Sequence, residues 1–229
     1  RDDAYRGSCT ATVTGVDGRA VLLDQTVCYA RAGGQPGDRG TMRLEDGSTL
    51  ELVDTVRAPE TGAILHLLAE GSSPPAPGRR GELALDWARR YRLMRMHTCL
   101  HLLCRAVEAP VTGGQIDDGK GRLDFDAGGR PIDREAIEER LAGWIAADLP
   151  VAARWVEEAE FDARPELVRT LSVRLPRGQG RVRLVEIEGV DLQACGGTHV
   201  RRTGEIGAVA VGRIESKGAR NRRVTLVLA

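Results

Sequence analysis

Two short segments about a hundred residues apart gather the groups best able to hold a metal: His97-Thr98-Cys99-Leu100-His101 and Cys195-Gly196-Gly197-Thr198-His199. Together they offer three imidazoles and one thiolate, a donor set that suits zinc. The chain has only four histidines, and three of them fall inside these two segments. Zinc is preferred to copper or iron because nothing else in the sequence points to redox chemistry. His97, His101, Cys195 and His199 are therefore the expected metal ligands. Four protein ligands describe a closed structural site, whereas catalytic zinc keeps one position open, and the sequence leaves both arrangements possible.

The elements that must position these groups can be read around them. Residues four apart on a helix share a face. Trp87 to Val107 reads as such a helix, with Asp86 as N-cap and Leu93, Met96, Leu100, Leu103 and Val107 at helical spacing. The second segment has the same spacing, but Gly196 and Gly197 favour a tight loop able to close around a cation. Thr98 follows the first ligand, so its hydroxyl could touch a substrate or bond its own helix backbone. In zinc proteases of the His-Glu-x-x-His type, the position of Thr98 carries the general base. A hydrolytic site here would work without a dominant side-chain base, with zinc orienting water or the substrate.

Several segments resemble a known family when taken in order. These are Arg92 to Leu103 (RLMRMHTCLHLL), Gly121 to Phe125 (GRLDF), Cys195 to Val200 (CGGTHV), Gly204 to Gly207 (GEIG) and Ile214 to Gly218 (IESKG). The series resembles the editing domain of alanyl-tRNA synthetase, related to the second additional domain of threonyl-tRNA synthetase. Upstream, Ala32 to Gly40 (AGGQPGDRG) is similar to the glycine-rich signature of the free-standing alanyl-tRNA editing proteins of AlaX type. The resemblance runs from about Ala11 to the C-terminus. It implies a zinc-dependent hydrolase that deacylates mischarged tRNA(Ala) in trans, with seryl-tRNA(Ala) the first substrate and glycyl-tRNA(Ala) the second. A synthetic pocket built for a small apolar side chain rejects an added hydroxyl poorly, which is why a second hydrolytic sieve exists. Gly33, Gly34 and Gln35 inherit from the family a place near the editing pocket, and Thr198 joins them as a substrate-binding candidate.

The rest of the sequence bounds that reading. At 229 residues, with 33 basic and 33 acidic side chains, the chain has no global attraction for nucleic acid. Local attraction is expected instead. Lys217, Arg220 and Arg223, in a run richer in positive than negative side chains, could meet acceptor-stem phosphates of tRNA(Ala) or form an ordinary solvated face. Aromatic residues make up 3% of the chain, leaving little for base stacking. Asp124 and Asp126 are candidates to fix the tautomer of a ligand histidine, or salt-bridge partners of Arg92 or Arg95. Cys99 and Cys104 read as packing, and His66 as structural. No ATP-binding motif is visible, and the length is too short for a whole synthetase. The chain opens on Arg1 rather than methionine, so a few natural residues are expected ahead of it. The five cysteines lack a secreted-scaffold spacing and no run is long and apolar enough to span a membrane. The cytoplasm is the expected compartment. The oligomeric state is not indicated.

The expected fold is α+β: a small N-terminal β-barrel over 1–85, then an α+β editing domain with a zinc site over 86–229. Strands are predicted at Cys9 to Val16, Arg19 to Leu23, Thr49 to Val56, Ala63 to Leu68 and Gly81 to Leu85. The second part is predicted to hold a strand near Arg122 to Asp126 and a helix over Arg134 to Asp148, capped by Asp133. Further strands are placed near Val151 to Glu157, Arg181 to Glu188, Ala208 to Glu215 and Val224 to Leu228. Two rivals to the hydrolase remain open: a non-catalytic tRNA-binding module with structural zinc, and a zinc hydrolase of a small ester or amide.

Overall fold

The structure is a computed structural model that describes residues 3–164 and 180–229. It divides into two compact units, Arg1–Ala32 with Pro36–Tyr91, and Gly33–Gln35 with Arg92–Ala229. The expected class is found: a closed barrel, then mixed helices and sheets.

The first unit is built on β1 (Ser8–Asp17), β2 (Ala20–Leu23), β3 (Gly40–Leu44), β4 (Thr49–Arg57), β5 (Ile64–Leu68) and β6 (Arg80–Leu85). They close in the order β1-β2-β5-β4-β3-β6. Alternation along β1 turns Cys9, Ala11 and Val13 inward against Met42, Leu52, Leu68 and Leu83. Strand β3 is absent from the sequence-based prediction because it is short and follows a glycine-rich turn. Inside this unit Arg90 is buried and paired with Asp38, and its guanidinium also donates to the carbonyls of Ala4 and Val27, both at 3.0 Å. Asp38 also accepts the backbone N–H of Tyr29. A charge pair this buried is tolerated because its remaining hydrogen-bonding capacity is filled. His66 is likewise buried, between the Thr26 hydroxyl at 2.8 Å and the Val21 carbonyl at 3.2 Å.

Helix α1 (Trp87–Val107) starts in the first unit and continues into the second. Asp86 caps it, accepting the backbone N–H of Arg89 at 3.0 Å. From Leu93 onward apolar side chains are buried on several sides, among them Met94, Met96, Cys99, Leu102 and Leu103, so this is a core helix rather than a surface one. The second unit adds β7 (Val111–Asp117), β8 (Lys120–Asp126), α2 (Arg134–Ala146), β9 (Val151–Glu157), α3 (Glu158–Asp162), β10 (Arg181–Ile187), β11 (Asp191–Ala194), β12 (Val209–Lys217) and β13 (Asn221–Leu228). Its sheets run β11-β10-β9 and β12-β13-β8-β7, all antiparallel. Helix α2 is capped by Asp133, which accepts from Ala136 N, and ends two residues before Asp148, whose φ of 49° cannot continue a helix. On its apolar side Ile137 and Leu141 are buried, whereas Trp144 and Ile145 are half-buried.

Candidate metal centre

Helix α1 delivers His97 and His101 from one face, and the loop after β11 delivers Cys195 and His199. One ligand atom from each lies within 4.8 Å of every other. The Cys195 Sγ is 3.4 Å from His97 Nε2 and 3.3 Å from His199 Nε2. Tetrahedral zinc, with bonds of about 2.3 Å to sulfur and 2.0–2.1 Å to nitrogen, separates sulfur from nitrogen by about 3.6 Å. The four donors are thus drawn together at close to metal-site spacing.

Two of the imidazoles are hydrogen-bonded at their other nitrogen, and the third faces a carboxylate there. Gln35 Oε1 lies 2.8 Å from His97 Nδ1 and accepts the backbone N–H of Thr198 at 3.1 Å. A backbone N–H can only donate, so it fixes the amide oxygen on that side, and His97 Nδ1 must then carry the proton. Gln35 Nε2 completes the arrangement by donating to Thr198 Oγ1 at 2.8 Å. His199 Nδ1 meets Thr98 Oγ1 at 3.1 Å, and the same oxygen accepts Val200 N–H at 3.3 Å. His101 Nδ1 stands 3.3 Å from Asp191 Oδ2, with both side chains buried, and Gln193 Nε2 donates to that carboxylate oxygen at 2.7 Å. All three rings thereby leave Nε2 for a cation, the pattern that orients metal-bound histidines.

Charge and sterics agree with that fit. Burial pushes the Cys195 thiol up, but His97, His199 and His101 outweigh it and hold the group well below its ordinary value, as a thiolate. Burial opposes charge on His101, yet Cys195 and Asp191 raise it to about 9. Burial and then His97 hold His199 well below the usual histidine range. A Cβ on Gly197 would sit 2.1 Å from His97 Cε1 and 2.9 Å from Gln35 Oε1, so only glycine lets the loop come this close. Gly196 has open space, and neither glycine has a positive φ; close approach at one position, not conformational freedom at both, shapes the loop. Arg183 ties the loop down by donating to the carbonyls of Cys195 at 2.8 Å and Gly197 at 3.0 Å.

Comparison with known proteins identifies the lineage. Residues 182–225 match the family described as the threonyl and alanyl tRNA synthetase second additional domain. Alanyl-tRNA editing protein AlaX-M of Methanosarcina acetivorans is 35% identical over 237 residues, covering 99% of this chain and 96% of the relative. That of Saccharolobus solfataricus is 32% identical, over 97% of this chain and 94% of the relative. The chain belongs to the alanyl-tRNA editing protein family. It is also similar to the alanine–tRNA ligase of Pyrobaculum neutrophilum, 36% identical over 93% of this chain but only 25% of the ligase.

In this editing protein the remaining candidates fall in different places. Gln35 is fully buried and both ends of its amide are used within the centre. Gly33 and Gly34 form the preceding turn, with φ of 57° and 81°, and Gly34 O accepts Ile116 N–H at 2.9 Å on β7. Thr98 is fully buried, its hydroxyl facing His199, and Thr198 is buried beside Gln35. Lys217 ends β12 and is exposed. Arg220 pairs with Asp126 at 2.8 Å and Arg223 with Asp124 at 2.6 Å. The salt-bridge partners of these two aspartates are thus not Arg92, which pairs with Asp118 at 2.6 Å, nor Arg95, which donates to Ile206 O at 2.8 Å. Cys99 and Cys104 are buried packing residues. The sequence reading missed Asp191 altogether. Its signal lies in the period-two series Asp191, Gln193, Cys195, which puts three polar groups on one strand face.

Proposed function

We propose that this chain is a zinc-dependent hydrolase that deacylates mischarged tRNA(Ala) in trans, seryl-tRNA(Ala) before glycyl-tRNA(Ala). One observation carries the proposal. Three imidazoles, two hydrogen-bonded at Nδ1 and one facing a buried carboxylate there, converge with one thiolate in a chain of the alanyl-tRNA editing family. His97, His101, Cys195 and His199 would hold the ion. Bound there, zinc would supply a Lewis acid to anchor and polarise the end of an aminoacylated ribose.

The chain's own residues would do the rest. Gln35 keeps the His97 ring in the Nδ1–H tautomer and holds Thr198 at the metal loop. The Thr98 hydroxyl would orient the His199 ring, and the buried Asp191 carboxylate would favour a proton on His101 Nδ1. None of these contacts gives a side chain placed to take a proton from water as a dominant base. The reacting ester is an activated one, so orientation and charge stabilisation would carry much of the rate. Lys217, with Arg220 and Arg223 braced by their aspartates, would contribute phosphate contacts on the acceptor stem. The cysteines of the described residues form no disulfide, in keeping with a reducing compartment such as the cytoplasm. Among the described residues no helix is long and apolar enough to cross a membrane.

The test is substitution of His101 by alanine in protein shown to remain folded. Loss of serine release from seryl-tRNA(Ala) is expected, and full activity would refute the proposal. The convergence of all four donors favours one other reading, a closed structural zinc in a tRNA-binding module. That reading requires undiminished tRNA binding with no deacylation by the metal-loaded wild type.

A further inference from the structure

The strand register of the second unit places an exposed aromatic beside the metal loop. On β10, Arg183 lies opposite Trp155 of β9, and Arg183 O accepts the backbone N–H of Cys195, extending the ladder one residue past β11. Residues directly opposite one another in a sheet point to the same face. Trp155, Arg183 and Cys195 therefore form one row on one face, while Val156, Val182 and Leu184 pack into the core on the other. Two strand spacings put the Trp155 backbone about 10 Å from that of Cys195. The Arg183 side chain between them reaches the carbonyls of Cys195 and Gly197.

Trp155 is 43% exposed, which is unusual for so large an apolar side chain in a protein with few aromatics. Trp87, the other exposed tryptophan, is engaged with Tyr5 and Tyr91, with ring centroids 5.8 and 5.9 Å away. Over Trp155 instead lies a cation: the Arg181 guanidinium, 5.9 Å from the ring centroid. Glu157 is opposite Arg181, one row farther from the cysteine. A flat ring, a guanidinium against it and a second arginine toward the metal loop combine the two features that hold a single-stranded nucleotide. These are a stacking platform and positive charge for its phosphate.

We infer that Trp155, with Arg181, forms a stacking subsite for an unpaired nucleobase at the 3′ end of tRNA, holding the strand as its terminal ribose enters the metal centre. This rests on the reading of the chain as a tRNA deacylase, and it assigns a residue outside the metal centre and the glycine-rich turn. Stacking on one ring needs no particular base, so the subsite would grip the end without reading its sequence.

The probes are two acceptor-stem RNA hairpins, one with the unpaired 3′ tail and one blunt-ended. Trp155→Ala should weaken binding of the tailed hairpin by about 5- to 150-fold, the range of one base–aromatic stack. It should leave the blunt hairpin and the zinc content unchanged, and the slope of affinity against salt as in the wild type, because every phosphate-binding cation is retained. Trp155→Phe should restore most of the affinity. Equal losses on both hairpins, or none, would overturn the inference, as would failure of wild-type protein to prefer the tailed RNA. Binding does not require turnover, so the two claims can fail separately. Preference for the tail that depends on Trp155 without deacylation refutes only the hydrolase. Deacylation with unchanged affinity and KM in Trp155→Ala refutes only the subsite.

Discussion

Replacing Gln35 by methionine keeps an unbranched side chain of similar length and removes both polar ends. Gln35 is 0% exposed, so water has no easy route to replace it. Two buried donors lose their acceptor: His97 Nδ1–H, now 2.8 Å from Oε1, and Thr198 N–H, 3.1 Å from it. An unsatisfied buried donor costs about 1–3 kcal/mol, so the pair costs roughly 2–6 kcal/mol in all. The cost divides between folding and metal binding, because the free ring can rotate away from the metal geometry. Loss of a partner holding a ligand typically lowers metal affinity about 10- to 100-fold, equivalent to about 1.4–2.8 kcal/mol. Zinc affinity is measured by competition with a chromophoric chelator, and stability by urea unfolding with and without zinc. Gln35→Glu keeps an oxygen facing both donors and should stay near wild type in both. Wild-type zinc affinity and urea midpoint in Gln35→Met would refute the reasoning.

Gly197→Ala should abolish high-affinity zinc binding, since its methyl group would collide with the His97 ring, whereas Gly196→Ala should bind zinc normally; equal behaviour of the two in a zinc titration would contradict the loop geometry. Burial holds His66 below its ordinary pKa of 6.5, outweighing its bond to the Val21 carbonyl. The unfolded chain therefore binds the proton first, so stability is full above about pH 6.5 and declines as pH falls from there toward the folded pKa. Thermal unfolding of wild type against His66→Gln across pH 7.5 to 5 should show the smaller decline in the variant, and parallel curves would exclude this linkage. Removing Lys217, Arg220 and Arg223 together should lower the salt slope of tRNA binding by about 0.9 for each phosphate that is no longer neutralised, with zinc content intact. An unchanged slope would remove the tail from the tRNA interface.

The cluster of candidate metal ligands was legible because histidine is scarce and because α1 has helical periodicity, a good N-cap and no competing turn signal. The barrel was legible from alternation, except β3, which is five residues long and follows the glycine-rich turn. Strand β7 is absent from the sequence-based prediction, and Gly113 and Gly114 within it weaken the strand pattern. Gly113 lies where its register with β8 shifts, and Gly114 packs beneath the Gly34 turn. The partners of the ligands were invisible for a different reason. Gln35 and Asp191 reach His97 and His101 across 62 and 90 residues of sequence, and only folded strand and loop geometry brings them there. The Trp155, Arg183 and Cys195 row is a consequence of register, which no local pattern encodes.

The measurement that tests the central claim most directly is release of labelled serine from seryl-tRNA(Ala), run beside seryl-tRNA(Ser) and alanyl-tRNA(Ala). Release from the mischarged species alone, lost on chelation and restored by zinc, is the predicted result. Release that persists after complete metal removal, or none from any of the three with zinc bound, would contradict it.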